Sequence, residues 1–246
     1  MGTYRTLDPH LIVTTVTTLS HRVEERFPGS GLTKVCAELT AVARESKERV
    51  ANVARPNLLL RLAITLVLLA GLMLLGYVGS VIAEAKRDPD NVYSVLQGIE
   101  ASINIIVLVG AAALFLITLE SRQRRARALA DLHELRSIIH VIDMHQLTKD
   151  PSTVALVGTD TPSSPKRPMS AFELTRYLDY CSEMLSLSAK VAVLYAQSTR
   201  DPVVIEAASD LGQITSNLSN KIWQKINIVQ RSAAQAAAAK SRTATS

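Results

Sequence analysis

Apolar residues recur along this chain in two ways. Over most of its length they return every three or four positions, which is helical spacing. In two central stretches almost every position is apolar: Leu62 to Ala83 runs 22 residues without a charged side chain, and Ala101 to Leu119 runs another 19. A helix rises about 1.5 Å per residue, so about 20 apolar residues cross a hydrocarbon core of about 30 Å. The pattern predicts two transmembrane helices. Gly71, Gly76 and Gly79 in the first, and Gly110-Ala-Ala-Ala113 in the second, allow close helix approach in lipid or are simply tolerated there; the sequence leaves both readings open. The first apolar run starts near Leu58 with no cleavage-like stretch before it, so it is expected to stay in place as an anchor.

The periodic stretches predict the remaining helices. Ile12, Val16, Leu19, Val23 and Phe27 form one stripe, and Pro28-Gly29-Ser30 ends it. Leu32, Val35, Leu39, Val42, Val50 and Val53 form a second, interrupted by polar Ser46, and Arg55-Pro56 opens the membrane run. From Glu120 to Leu147 there is neither Gly nor Pro, while Leu129, Leu132, Leu135, Ile139 and Ile142 keep the helical period. The second membrane helix is therefore expected to continue as one rod into the cytoplasm. A linker rich in Ser, Thr, Pro and Gly follows from Pro151 to Pro168. Ser170-Ala-Phe-Glu173 has the capping-box pattern and opens a helix with the stripe Leu174, Leu178, Cys181, Leu185, Ala192 and Tyr195. A last helix is expected from Asp201-Pro202, with Ile205, Ala208, Leu211, Leu218, Ile222 and Val229 inward. Asp8-Pro9, Asp88-Pro89, Asp150-Pro151 and Asp201-Pro202 punctuate these boundaries, since Asp caps a helix and Pro suits its first turn. No internal repeat is visible. The stripes lie closer to a 3.5 than a 3.6 period, which suits a small bundle with coiled-coil-like packing.

The resulting fold class is all-α: a transmembrane helical hairpin with a cytoplasmic helical bundle built from both ends of the chain. The expected domains are N-terminal cytoplasmic helices over 1–56, the hairpin over 57–120 with a short external loop near 84–100, a cytoplasmic helical domain over 121–231, and a frayed or disordered tail over 232–246.

Composition and charge then set the orientation. Hydrophobic residues make up 48% of the 246 positions but aromatics only 4%, a balance that suits helices better than sheets. Arg44, Lys47, Arg49, Arg55 and Arg61 precede the first apolar run, and Arg122, Arg124, Arg125 and Arg127 follow the second. The connection carries Glu84, Lys86, Arg87, Asp88, Asp90 and Glu100 and is net acidic. Basic flanks stay in the cytoplasm during insertion, so both termini are expected inside, with an acidic loop outside. This placement accounts for much of the net charge of +5 without a nucleic-acid partner, and none is expected. Cys36 and Cys181 fall in cytoplasmic helices and are expected to be free thiols.

Candidate chemistry concentrates between Leu132 and Asp150, where His133, His140 and His145 lie within thirteen residues. His133, Arg136, His140 and Asp143 share one helix face beside the apolar stripe. Arg176, Asp179, Glu183 and Lys190 mark a charged stripe on the next helix, with Tyr177 and Tyr180 beside it. Together His133, Arg136, His140, Asp143, His145, Arg176, Asp179 and Glu183 form the candidate polar face. Its favoured reading is an interfacial network in which Arg136 pairs with Asp143 or Glu183, with histidines able to titrate near neutral pH. A metal reading needs His140 and Asp143 to be joined by Glu173, Asp179 or Glu183 from another helix, because His133 and His140 stand about 10.5 Å apart along the axis. Arg127 and His133, five residues between them, fit the loose Arg-x(4–6)-His spacing of HEPN-class helical nucleases. Trp223, the only tryptophan, is expected to anchor the bundle, with contact to the lipid surface as the alternative. There is no Gly-rich phosphate loop, no Gly-x-Ser-x-Gly and no Cys-x-x-Cys. The apolar runs hold no mid-span ionisable residue, which argues against an ion-coupled transporter built from one copy.

His133-Glu-Leu-Arg136, Asp143-Met-His-Gln-Leu-Thr-Lys-Asp-Pro151, Phe172-Glu-Leu-Thr-Arg-Tyr-Leu-Asp-Tyr-Cys-Ser-Glu-Met-Leu185 and Lys221-Ile-Trp-Gln-Lys-Ile226 together resemble a family of bacterial two-helix inner-membrane proteins. The resemblance implies an inner-membrane location and no particular activity. The layout is also similar to two-helix membrane effectors of antiphage systems, at the level of architecture alone. The expected function is that of a non-enzymatic homo-oligomer in the lipid bilayer. Its bundle would sense or bind a cytoplasmic protein partner and control the hairpin, perturbing the membrane or opening a pore. No catalytic, metal-binding or cofactor-binding residue is assigned and no cofactor is expected. The alternatives are a metal- or histidine-dependent membrane-anchored enzyme at the His133/His140/Asp143 face, and a passive membrane scaffold.

Overall fold

A computed structural model describes residues 6–54, 58–85, 92–149, 151 and 169–244. Among them are six helices and no strand: α1 (Pro9–Arg26), α2 (Gly31–Ala54), α3 (Leu58–Ala85), α4 (Val92–Leu147), α5 (Ala171–Thr199) and α6 (Pro202–Ala244). The side chain of Val53, the Arg55-Pro56 and Asp88-Pro89 pairs, Asp150, most of the 84–100 connection's charges and the 152–168 linker lie outside the described residues. The chain divides into two compact units, one of residues 1–54 and 127–246 and one of residues 55–126.

The first unit has a core of the ordinary kind. Asp8 accepts from the His10 amide at 2.8 Å and starts α1, with Pro9 in the first turn. Ile12, Val16, Leu19, Val23 and Phe27 are all buried, as their spacing predicts. Gly29 then turns the chain at φ +66°, a left-handed conformation that glycine takes without strain. In α5, the Ser170 side chain receives the Glu173 amide at 3.3 Å, and the Ser170 amide donates to the Glu173 carboxylate at 2.8 Å. This reciprocal pairing is the capping box. The α5 stripe from Leu174 to Tyr195 is buried throughout. Helices α5 and α6 pack along one another, α1 packs on α2, and α5 also meets both α1 and α2. Cys36 and Cys181 are free and buried; burial raises the thiol pKa of each, to about 11 and about 12.

Three details differ from the sequence reading. Ile205 is 47% exposed, and Val204 is buried in its place. The inward positions of α6 are Val204, Ala208, Leu211, Thr215, Leu218, Ile222, Ile226 and Val229, so stepping back four from Ala208 reaches 204, not 205. Trp223 is 56% exposed and anchors no core, because it stands one residue past the buried Ile222. Helix α6 runs to Ala244, through the segment 232–244 where a frayed tail was expected; alanine, which dominates this segment, is the strongest helix former.

The second unit reverses the pattern. Its helices, α3 and the first part of α4, are long and apolar enough to cross a membrane, and their large side chains face outward: Met73 is 77% exposed and Leu108 72%. The two helices touch where a glycine removes a side chain. A Cβ on Gly71 would stand 2.6 Å from Val109, and one on Gly98 would collide with Ile82. From the first contact to the second is eleven residues forward in α3 and eleven backward in α4, so the two helices run antiparallel. This register brings the two charge-free stretches level. Arg61 and Arg122 then lie at one end of the pair, and Glu84 and Glu100 at the other.

Candidate functional site around the C-terminal part of the long helix

Helix α4 is 56 residues long and does not break where its apolar stretch ends. Residues 120 to 147 contain no Gly or Pro to stop it. From Ala128 onward it belongs to the core of the first unit: Ala128, Leu132, Leu135, Ile138, Ile139 and Ile142 are buried. Two polar clusters flank this stripe.

The first cluster is built around Arg49 of α2. Its guanidinium donates to Asp131 and to Glu134 of α4, each at 2.9 Å, and to Glu45 one turn back at 2.5 Å. The carboxylates around it hold Arg49 firmly protonated. Burial pushes the Asp131 pKa up and Arg49 opposes the rise. The Tyr195 hydroxyl donates to Ser46 at 3.0 Å, with both residues buried. Burial lifts the Tyr195 pKa to about 12, so it remains a donor. Ser46, which reads as a flaw in the α2 stripe, is the acceptor that lets Tyr195 enter the core.

The second cluster closes the C-terminus of α4. Lys225 of α6 donates to the Gln146 backbone carbonyl at 2.8 Å and to its side-chain oxygen at 2.7 Å. Gln146, buried, turns its amide nitrogen to Asp143 at 2.6 Å. An ammonium at a helix C-terminus satisfies an orphan carbonyl and meets the negative end of the helix dipole. His145 presses against Gly31 at the start of α2, where any Cβ would collide with its ring. Its Nδ1 stands 3.4 Å from the Tyr177 hydroxyl, and the Lys149 ammonium lies 4.8 Å over the Tyr177 ring. Burial lowers the His145 pKa and Lys149 lowers it further.

The candidate polar face is thereby divided. Asp143 and His145 belong to the second cluster. His133 and His140 are exposed, and Arg136 is half-buried; among the described residues none of the three makes a side-chain hydrogen bond or ion pair. His133 and Arg136 line a cavity of about 100 Å³ beside Ala207 and Leu211 of α6. The expected pairing of Arg136 with Asp143 or Glu183 is not made: Asp143 takes Gln146, and Glu183 takes Arg22 of α1 at 2.9 Å. Arg176 pairs with Asp179 at 3.1 Å, and Arg22 and Arg176 both approach the Tyr180 ring, at 5.3 and 4.9 Å. Glu183 therefore fastens α5 to α1, while Arg176 and Asp179 pair within α5. Among the described residues no three His, Cys, Asp or Glu side chains gather closely enough to hold a metal. Arg127 and His133 are six positions apart, about 120° around the helix, so they do not share a face within one copy.

These contacts define a class: an all-helical chain with two helices apt for a membrane, the second fastened by polar clusters into a packed helical unit. No protein-family model, curated protein or solved structure matches the chain.

Proposed function

We propose that the chain is an oligomeric two-pass membrane protein of the bacterial inner membrane. In this reading α3 and the first part of α4 form a transmembrane hairpin, and the two chain ends form a cytoplasmic bundle that binds or senses a partner and controls the hairpin. One observation carries it. Two antiparallel helices present a common charge-free band about 30 Å tall, wide open to the surroundings, between an arginine end and a glutamate end. Soluble monomers rarely expose an apolar surface of that size, and the charge asymmetry supports an orientation with the arginine end inside. The resemblance of the His133–Pro151, Phe172–Leu185 and Lys221–Ile226 segments to bacterial two-helix inner-membrane proteins supports the location.

The proposed control runs through α4, a continuous helix that contributes residues to both units. Two helices cannot enclose a water path, so conduction requires several copies. Gly76, Gly79 and Gly110 face open space and would let helices of neighbouring copies approach closely.

Native mass spectrometry of the detergent-solubilised chain should give a discrete oligomer. In sealed vesicles, Lys225→Met should change dye leakage relative to the unaltered protein. A monomer, with leakage unaffected by the substitution, contradicts the reading.

A further inference from the structure

We infer that the face shared by α5 and α6 is a homodimer surface, occupied by the same face of a second copy of this chain. The inference rests on the oligomeric reading above and gives it a surface in the packed unit. Two adjoining hollows of about 430 and 560 Å³ form one groove between the two helices. At one end Trp223 of α6 shares a hollow with Ser182 and Ser186 of α5. At the other, Ile205 shares one with Ala196, and Val193 with Gly212. Trp223, Ile205 and Val193 are 56%, 47% and 41% exposed, so three large apolar side chains stand open along one groove. Lys190 is the one ionisable residue lining it, and a strongly charged partner would find little there to bind.

The direction of the helices selects the symmetry. Leu132 of α4 and Leu211 of α6 line one cavity, and Lys225 meets Gln146 equally far along both helices, so α4 and α6 run the same way. Two copies held through α4 in one bilayer are related by a twofold axis along its normal, and that axis runs with α6 along the groove. It lays α6 of each copy on α5 of the other, at the same height. Trp223 then meets the partner's Ser182 and the partner's Ser186, Ile205 meets the partner's Ala196, and Val193 meets the partner's Gly212. Every large side chain of the face falls opposite a small one of the same face, as a self-complementary interface requires. Lys190 faces the amides of the partner's Gln213 and the partner's Asn217, not another cation. From Ile205 to Trp223 the groove is about 27 Å long, and two helices side by side are about 20 Å wide. Covering it buries about 500 Å² on each copy, about 1,000 Å² in all, which reaches the lower bound for a specific interface.

Trp223 is the chain's only tryptophan, so it reports on the groove directly. Acrylamide quenching of its fluorescence and native mass spectrometry are followed together as the full-length protein in detergent is diluted. Trp223 should be shielded at high concentration and become accessible as smaller species appear. A Cβ at Gly212 meets nothing within 4 Å, so Gly212→Leu blocks the groove without disturbing the single copy. It should remove the shielding and give a smaller species, with an unchanged helical signal by circular dichroism. Trp223→Ala should weaken the dimer about thirtyfold or more, as for an interface anchor. Phe172→Ala, exposed on α5 outside the groove, should leave it intact. Equal accessibility of Trp223 in the unaltered and Gly212→Leu proteins overturns the proposal alone, whatever the size of the oligomer. A chain that is monomeric at every concentration overturns the oligomeric reading, and this inference with it.

Discussion

The two units spend the same residue types in opposite ways. In the packed unit, Leu135 and Leu178 are wholly buried, and polar groups enter only where a partner waits, as Tyr195 does at Ser46. In the apolar unit, leucines of the same size stand outside, and the close contacts are made by glycine. Burial of apolar side chains drives assembly in water. It supplies nothing between helices already surrounded by hydrocarbon, where close backbone packing takes over. Under the proposed membrane reading the two units meet different solvents, and substitutions in the two should behave differently.

The largest contrast should come from one substitution made in both places. Leu135→Ala should cost about 2–5 kcal/mol, the usual range for emptying a core site, whereas Leu108→Ala should change the melting of the detergent-solubilised protein little. Next, Gly71→Val should force α3 and α4 apart at Val109, at about 1–3 kcal/mol for overpacking. Gly76→Val meets open space and should leave the monomer's stability almost unchanged; circular dichroism melts of both variants check this. Lys225→Met should cost about 1.5–3 kcal/mol, the range for hydrogen bonds to a charged group, and hydrogen exchange should rise at the end of α4 around Gln146. Tyr195→Phe, which leaves the buried Ser46 hydroxyl without its donor, should cost about 1 kcal/mol.

Much of this architecture was legible in the sequence, for a physical reason. A buried helix face repeats with the helix, so Ile12 to Phe27 and Leu174 to Tyr195 could be read directly, as could the continuous run of α4. The candidate site was less legible. Spacing fixes which residues share a face of one helix, as His133, Arg136 and His140 do, but not which helix meets that face. Arg49 reads as a topological charge until Asp131 and Glu134 stand opposite it. Ser46 and Tyr195 each occupy a core position with one polar atom to satisfy. That shared need was the signal for the pair, and it only becomes a contact once α2 and α5 pack. Val204 in place of Ile205 shows the limit of reading a stripe whose steps alternate between three and four.

The smallest expected effect concerns pH. The imidazole of His145, held below its ordinary value of 6.5 by burial and by Lys149, takes up its proton more readily in the unfolded chain. Between the folded value and 6.5 the unfolded state binds more protons, so this group's contribution to stability is lost as pH falls below about 6.5. Asp131 and Asp179 titrate with the opposite sign, since burial raises their pKa values in the folded state. The difference in stability between the unaltered protein and His145→Gln, followed from pH 8 to pH 5, isolates the histidine and should narrow toward acid.

The claim on which the rest depends is that the apolar unit is solvated by lipid. Leu11 of the packed unit and Leu108 of the apolar unit are about equally exposed, at 66% and 72%. Spin labels at these two positions, in protein reconstituted into liposomes, should differ in their collisions with dissolved oxygen and with a water-soluble nickel chelate. High oxygen and low nickel accessibility at residue 108, with the reverse at residue 11, is the predicted result. Nickel accessibility at residue 108 equal to that at residue 11 would contradict the account.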